Sequence, residues 1–162
     1  GGGCCCAPGA CRVVRFELLA ESPLVYGARG FLTDGECDAM RRVASALGYG
    51  PSHWGAESVP FDVLRCQGLA EDGKVGQEDL DFVRALAARR AALTGAPEAS
   101  LTPQVRRTAP PTAADGPGLG QVAIPLHLDS YVEDTYMTIL VYLGTVPPRL
   151  GGHTLFPLAR KP

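Results

Sequence analysis

The sequence predicts an α+β domain, in which two helices precede a group of strands that form a sandwich or barrel. Apolar side chains recur at helical spacing twice in the first 94 residues, and a run of alternating side chains typical of a strand begins at Tyr136. The chain has 162 residues, of which 46% are hydrophobic and 20% are charged, so it is long enough to bury the core of one domain.

Residues 1–12 predict a disordered lead-in, because they are rich in Gly and Cys and contain a Pro. Four cysteines fall here without the CxxC spacing that lets two thiolates turn back onto one zinc ion. They are Cys4, Cys5, Cys6 and Cys11. We therefore place the domain itself at residues 13–162.

Two short strands and a helix are predicted next. The strands cover residues 13–19 and 24–31, with Glu21-Ser22-Pro23 between them. Thr33 or Asp34 can cap the helix, which ends near Gly48. Its apolar face consists of Cys37, Met40, Val43, Ala44 and Leu47.

A second helix is predicted from about Glu78 to Leu93, closed by Gly95. Its helical spacing comes from Leu80, Val83, Leu86, Ala87 and Arg90. Residues 49–76, with prolines and several glycines, predict a loop or an irregular strand, and residues 109–120 predict a loop.

The segment Tyr136–Leu143 carries the strongest strand signal in the chain. Its even positions include the hydroxyl-bearing Tyr136, Thr138 and Tyr142, whereas its odd positions are wholly apolar. A strand with one apolar face and one hydroxyl-bearing face fits the wall of a barrel with a lined interior.

Charge and hydropathy exclude some classes of partner. The formal net charge of −2 gives no electrostatic reason to expect nucleic acid. No apolar run approaches the length that spans a bilayer. The first residue is Gly1 rather than Met, so localisation stays open.

His127 and Asp129 are candidate metal ligands because a single residue separates them. In an extended segment both side chains point to the same face. One imidazole and one carboxylate are what a 2-His-1-carboxylate iron(II) site needs as its first two ligands. A site with three protein ligands and one carboxylate keeps a net positive charge and leaves positions for a dianionic cosubstrate and O2.

The residues around this pair resemble the prolyl 4-hydroxylase family of iron(II)- and 2-oxoglutarate-dependent dioxygenases. The family pattern is HxD, then TxxxYLN, then GGxTxFP. The matching positions are His127, Asp129, Thr138, Tyr142, Leu143, Gly151, Gly152, Thr154, Phe156 and Pro157. Upstream, residues 31–38 resemble the start of the family's first helix, and residues 89–94 and 104–105 resemble its second helix and the following strand.

The resemblance implies a partial double-stranded β-helix, a jelly-roll-like fold backed by two helices. It implies hydroxylation with Fe(2+), 2-oxoglutarate as cosubstrate and L-ascorbate, on a peptide or protein substrate, with peptidyl proline as the default. His127 and Asp129 would bind the iron, and Tyr142 and Thr154 would face the cosubstrate. Localisation in the endoplasmic reticulum follows by analogy, with the cytoplasm as the alternative.

The sequence also departs from the family pattern. Thr108 stands where the family usually has Tyr, and Ile124 stands where it often has Tyr. Gly144 replaces the Asn of YLN, and His153 replaces an acidic residue. The family's second iron histidine and its basic residue for 2-oxoglutarate lie beyond the GGxTxFP block, so we expect this chain alone to be inactive. The alternative is a non-catalytic remnant of the fold that acts as a binding or structural module.

Overall fold

Two antiparallel hairpins open the chain in the computed structural model, which describes residues 3–7, 10–52, 56–95, 103–107, 137–147, 153–160 and 162. Strand β1 (Gly3–Ala7) pairs with β2 (Ala10–Val14). Residues 3–7 and 10–12 of the expected disordered lead-in lie in this hairpin, and Pro8-Gly9, a dipeptide typical of turns, stands between its strands in the sequence.

The second hairpin joins β3 (Phe16–Glu21) to β4 (Leu24–Ala28), with a bulge between Leu18 and Ala20. This hairpin confirms the two strands predicted on either side of Ser22-Pro23. One side chain of the hairpin, Ala20, is buried, whereas both Leu19 and Tyr26 remain about half exposed.

Helix α1 (Asp34–Leu47) confirms the first predicted helix, including its cap. The Thr33 hydroxyl accepts a hydrogen bond from the Glu36 backbone N–H at 3.0 Å, and a Glu36 carboxylate oxygen accepts from the Thr33 N–H at 2.7 Å. This reciprocal pair satisfies two donors that the first turn would otherwise leave without partners. The helix ends at Gly48, whose φ of 83° few other residues adopt.

Helix α2 (Val63–Glu71) was not predicted, because residues 49–76 indicated a loop or irregular strand. Asp62 caps it by accepting a hydrogen bond from the Arg65 N–H at 2.9 Å. Helix α3 (Gln77–Thr94) confirms the second predicted helix and ends at Gly95 in the left-handed conformation, with φ 68°.

A three-stranded antiparallel sheet lies beside the helices, in the order β5 (Gly50–Pro51), β6 (Glu57–Pro60), β7 (Gln104–Arg107). Strand β7 is the one predicted after the second helix. The three helices and this sheet enclose one apolar core. Its buried members are Val43, Ala44, Val59, Phe61, Cys66, Leu69, Leu80, Val83, Leu86 and Val105.

The strand predicted over Tyr136–Leu143 is wrong for the residues that the structure describes, because residues 137–143 belong to no strand. Tyr136 lies outside the described residues. The alternation survives, however: Ile139, Val141 and Leu143 are half-buried, and the even positions between them are exposed. Side-chain alternation follows from an extended backbone, whereas a strand also needs a hydrogen-bonded neighbour, which the pattern of one segment does not supply.

Residues 153–160 return to the second hairpin. The Glu21 N–H donates to the Arg160 carbonyl and the Arg160 N–H donates to the Ser22 carbonyl, both at 3.0 Å. The described part of the chain is thus a mixed α and β structure with three helices, rather than the two predicted, and small antiparallel sheets. No helix in that part is long and apolar enough to cross a membrane.

Candidate functional site

A cleft of about 210 Å³ lies where the β3–β4 hairpin, the start of α1 and the end of α3 meet residues 139–142. Apolar side chains form most of its wall. The lining residues are Phe16, Ala28, Gly30, Phe31, Leu32, Cys37, Leu93, Ile139, Leu140, Val141 and Tyr142. Among them Tyr142 brings a phenol and Cys37 a thiol, and these are the side-chain groups of the wall that could take part in polar chemistry.

Tyr142, which lines the cleft, has its hydroxyl beside that of Thr154. The Tyr142 phenol oxygen lies 2.6 Å from the Thr154 Oγ1, although the two residues are 12 positions apart. Tyr142 is 54% exposed, so a ligand can reach the pair from solvent. One hydroxyl proton is used between the two oxygens and the other remains available, so the pair can donate a hydrogen bond to an acceptor such as a carboxylate.

Arg41 of α1 holds the backbone next to Tyr142. Its Nη1 donates a hydrogen bond to the Leu143 carbonyl oxygen, and its Nη2 pairs with the Asp38 carboxylate one turn earlier. The same Nη1 would lie 3.3 Å from a Cβ placed on Gly144. That distance is tighter than most real Cβ contacts, so the glycine at this position leaves room for the guanidinium.

A second arginine supports the wall of the cleft through contacts with Phe31 and Glu36. Arg89 of α3 donates to the Phe31 carbonyl at 3.2 Å and to the Glu36 carboxylate at 2.8 Å, and its guanidinium carbon lies 5.8 Å from the centre of the Phe31 ring. Burial pushes the pKa of Glu36 up, but the hydrogen bonds from Arg89 and Thr33 outweigh it and leave that pKa below its usual value.

The Cys37 thiol is protonated near neutral pH. Burial raises its pKa, the carboxylates of Asp34, Glu36 and Asp38 raise it further, and Arg41 opposes them. Because the thiolate is the form that attacks electrophiles and binds metals, Cys37 serves as part of the apolar wall. Cys66 is still less reactive, since complete burial in the core raises its pKa to about 11.

The structure describes two of the four predicted site residues. Tyr142 and Thr154 are described and lie in contact, and their assignment to a cosubstrate stays a prediction. His127 and Asp129, the predicted iron ligands, lie outside the described residues. Among the residues that are described, no three His, Cys, Asp or Glu side chains are grouped closely enough to hold a metal ion.

Sequence reasoning did not identify Arg41. The spacing of Asp38 and Arg41 indicates an ion pair on one face of a helix. Nothing in that spacing indicates the Leu143 carbonyl, which lies 102 residues further along the chain.

Comparisons with known proteins leave the family unassigned. No protein-family model, no curated protein and no solved structure matches this chain.

Proposed function

We propose that this sequence forms part of an iron(II)- and 2-oxoglutarate-dependent dioxygenase of the prolyl 4-hydroxylase type. The observation that carries the proposal is the contact between Tyr142 and Thr154. The family resemblance assigns both residues to the cosubstrate pocket on sequence motifs alone, and a contact between their hydroxyls is what a shared pocket would require.

The sequence contains two of the three protein ligands that the metal needs. His127 and Asp129 provide an imidazole and a carboxylate, the combination that non-haem iron(II) favours. Bound there, iron with 2-oxoglutarate and O2 would supply the oxidative chemistry, in which the cosubstrate is converted to succinate and CO2 while a substrate C–H bond is hydroxylated.

The chain's own part is to bind and orient the cosubstrate. The hydroxyl proton that the Tyr142–Thr154 pair keeps free would be donated to a carboxylate of 2-oxoglutarate. Apolar residues that line the cleft together with Tyr142, such as Phe31 and Val141, would limit the access of water. L-ascorbate as reductant, a peptidyl proline as substrate and a double-stranded β-helix as the complete fold belong to the same proposal and rest on the resemblance.

The test measures bound iron and succinate release in the longer protein that this proposal implies, because the 162-residue chain alone is expected to be inactive. We expect 2-oxoglutarate-dependent succinate release, and we expect His127→Ala and Asp129→Asn each to abolish it together with stoichiometric iron. His153→Ala is the matched control, since His153 is exposed and lies outside the HxD motif. That variant should keep both iron and activity.

Two results would overturn the proposal. One is unchanged iron content in the His127→Ala protein, and the other is equal loss in His127→Ala and His153→Ala. Stoichiometric binding of 2-oxoglutarate without any turnover of the intact protein would instead favour the alternative, a binding module that keeps the fold and has lost the reaction.

A further inference from the structure

A single arginine connects helix α1 to the segment that carries the tyrosine of the hydroxyl pair. Arg41 uses two different nitrogens, one for the Leu143 carbonyl and one for Asp38. A planar guanidinium can hold two acceptors at once in a fixed arrangement, which the ammonium of a lysine does less well. The Leu143 backbone is therefore held relative to α1 by a group that is itself oriented by its own helix.

The packing on either side of this contact restricts the segment further. Leu143 packs against the apolar core, and Ile139 and Val141 are half-buried. Tyr142 is 54% exposed, and its hydroxyl lies beside that of Thr154. Residues 137–143 belong to no strand, so a regular hydrogen-bonded ladder does not hold them, and the contact from Arg41 contributes a specific polar anchor.

Gly144 is the third part of this arrangement. A Cβ at that position would meet Arg41 Nη1 at 3.3 Å, so a side chain there would require the guanidinium to shift by a few tenths of an ångström. The glycine at the position of the Asn in the YLN motif gives Arg41 room beside the Leu143 carbonyl.

We propose that Arg41 is a positioning residue, which together with Gly144 fixes the Leu143–Gly144 backbone and so directs the Tyr142 hydroxyl to the cosubstrate. The consequence for the cosubstrate rests on the proposed function, whereas the anchor itself rests on geometry alone. Arg41 acts through the backbone of its target and does not touch the Tyr142 phenol in this role.

The kinetic test compares Arg41→Met, Arg41→Lys and Arg42→Met in the protein that carries this sequence. Methionine keeps the helix propensity and removes the donors. We expect Arg41→Met to raise the KM for 2-oxoglutarate roughly three- to ten-fold, with little change in kcat. This is the fold-change that the loss of one hydrogen bond produces. Arg41→Lys should recover part of the effect. Arg42→Met removes a neighbouring arginine that pairs with Asp79, and it should leave KM unchanged.

A spectroscopic test does not depend on activity. In a sample labelled with carbonyl-¹³C leucine and ¹⁵N glycine, correlated signals come from Leu–Gly peptides, which this sequence contains at 47–48, 119–120, 143–144 and 150–151. Gly144→Ala removes the Leu143–Gly144 signal and so identifies it. We expect that signal to shift in Arg41→Met and to stay in place in Arg42→Met.

The outcomes separate the two proposals. A signal that does not move in Arg41→Met overturns the anchor, whatever the activity. A signal that moves while KM stays constant in an active enzyme overturns the positioning role. A signal that moves in a protein that neither binds nor turns over 2-oxoglutarate leaves the anchor in place and overturns the proposed function, along with the consequence for the cosubstrate.

Discussion

Replacing Arg89 by methionine tests a largely buried polar contact between α3 and the start of α1. Arg89 is 11% exposed and its partner Glu36 is 23% exposed, so water screens the pair only in part. A hydrogen bond to a charged group contributes about 1.5–3 kcal/mol. The bond to the Phe31 carbonyl would add to this, while the apolar stem of methionine preserves most of the packing. We expect a loss of about 2–3 kcal/mol in the free energy of unfolding.

Urea unfolding followed by circular dichroism measures this loss, and Arg84→Met is the matched control on the same helix. Arg84 is 49% exposed and its nitrogen lies 3.5 Å from the Asp81 carboxylate. Exposed pairs of that kind contribute less than about 1 kcal/mol. A double-mutant cycle with Glu36→Gln, which keeps an acceptor for the Thr33 N–H, isolates the Arg89–Glu36 contact, and we expect a coupling energy of about 1–2 kcal/mol.

The pH dependence gives a second measure of the same contact. The pKa of Glu36 is lower in the folded protein than in the unfolded chain, so the stabilisation is present above the unfolded value and is lost as the pH falls through the folded value. The difference between the wild-type protein and Arg89→Met should therefore shrink below about pH 4. Equal losses for Arg89→Met and Arg84→Met, or a difference that does not change with pH, would refute the reasoning.

Two further predictions concern the hydroxyl pair and the core. Tyr142→Phe should raise the KM for 2-oxoglutarate about ten-fold or more with little loss of iron, because the phenol that would donate to the cosubstrate carboxylate is lost; a lower melting temperature with unchanged KM would mean that the phenol only supports the fold. Phe61→Ala should lower the free energy of unfolding, measured in urea, by about 3–5 kcal/mol, because Phe61 is 1% exposed and its truncation leaves a cavity. Leu64→Ala, at a site 81% exposed, should change stability by less than about 0.5 kcal/mol, and similar losses for the two would count against the core described above.

The two helices with strong local sequence signals were predicted, and the helix with weak signals was not. Helix α1 combines a capping box at Thr33 and Glu36 with a closing Gly48, and α3 has 18 residues with a regular apolar spacing. Helix α2 has nine residues, includes Gly68 and buries only Cys66 and Leu69. Two apolar positions in a short glycine-containing segment do not distinguish a helix from a loop, so α2 depends on the core that it covers.

Some residues of the candidate site could likewise be identified from the sequence, and one could not. Tyr142 and Thr154 could be chosen from the sequence because each lies in a short motif with compatible spacing, and the resemblance assigned them to one pocket. Arg41 could not be chosen, because its partner is a backbone carbonyl and every residue has one. Only the approach of α1 to residues 143–144 makes that carbonyl the acceptor, and it also gives a reason for Gly144.

The sequence by itself determined where two helices begin and end, where the second hairpin turns, and which face of residues 137–143 is apolar. These properties depend on caps, glycines and side-chain alternation, all of which act within a few residues. The tertiary structure decided that α2 is a helix, that residues 137–143 join no strand, and that the Tyr142 and Thr154 hydroxyls meet. Each of these depends on contacts between segments distant in sequence, whose free energy appears only when the chain is folded and which no local pattern encodes.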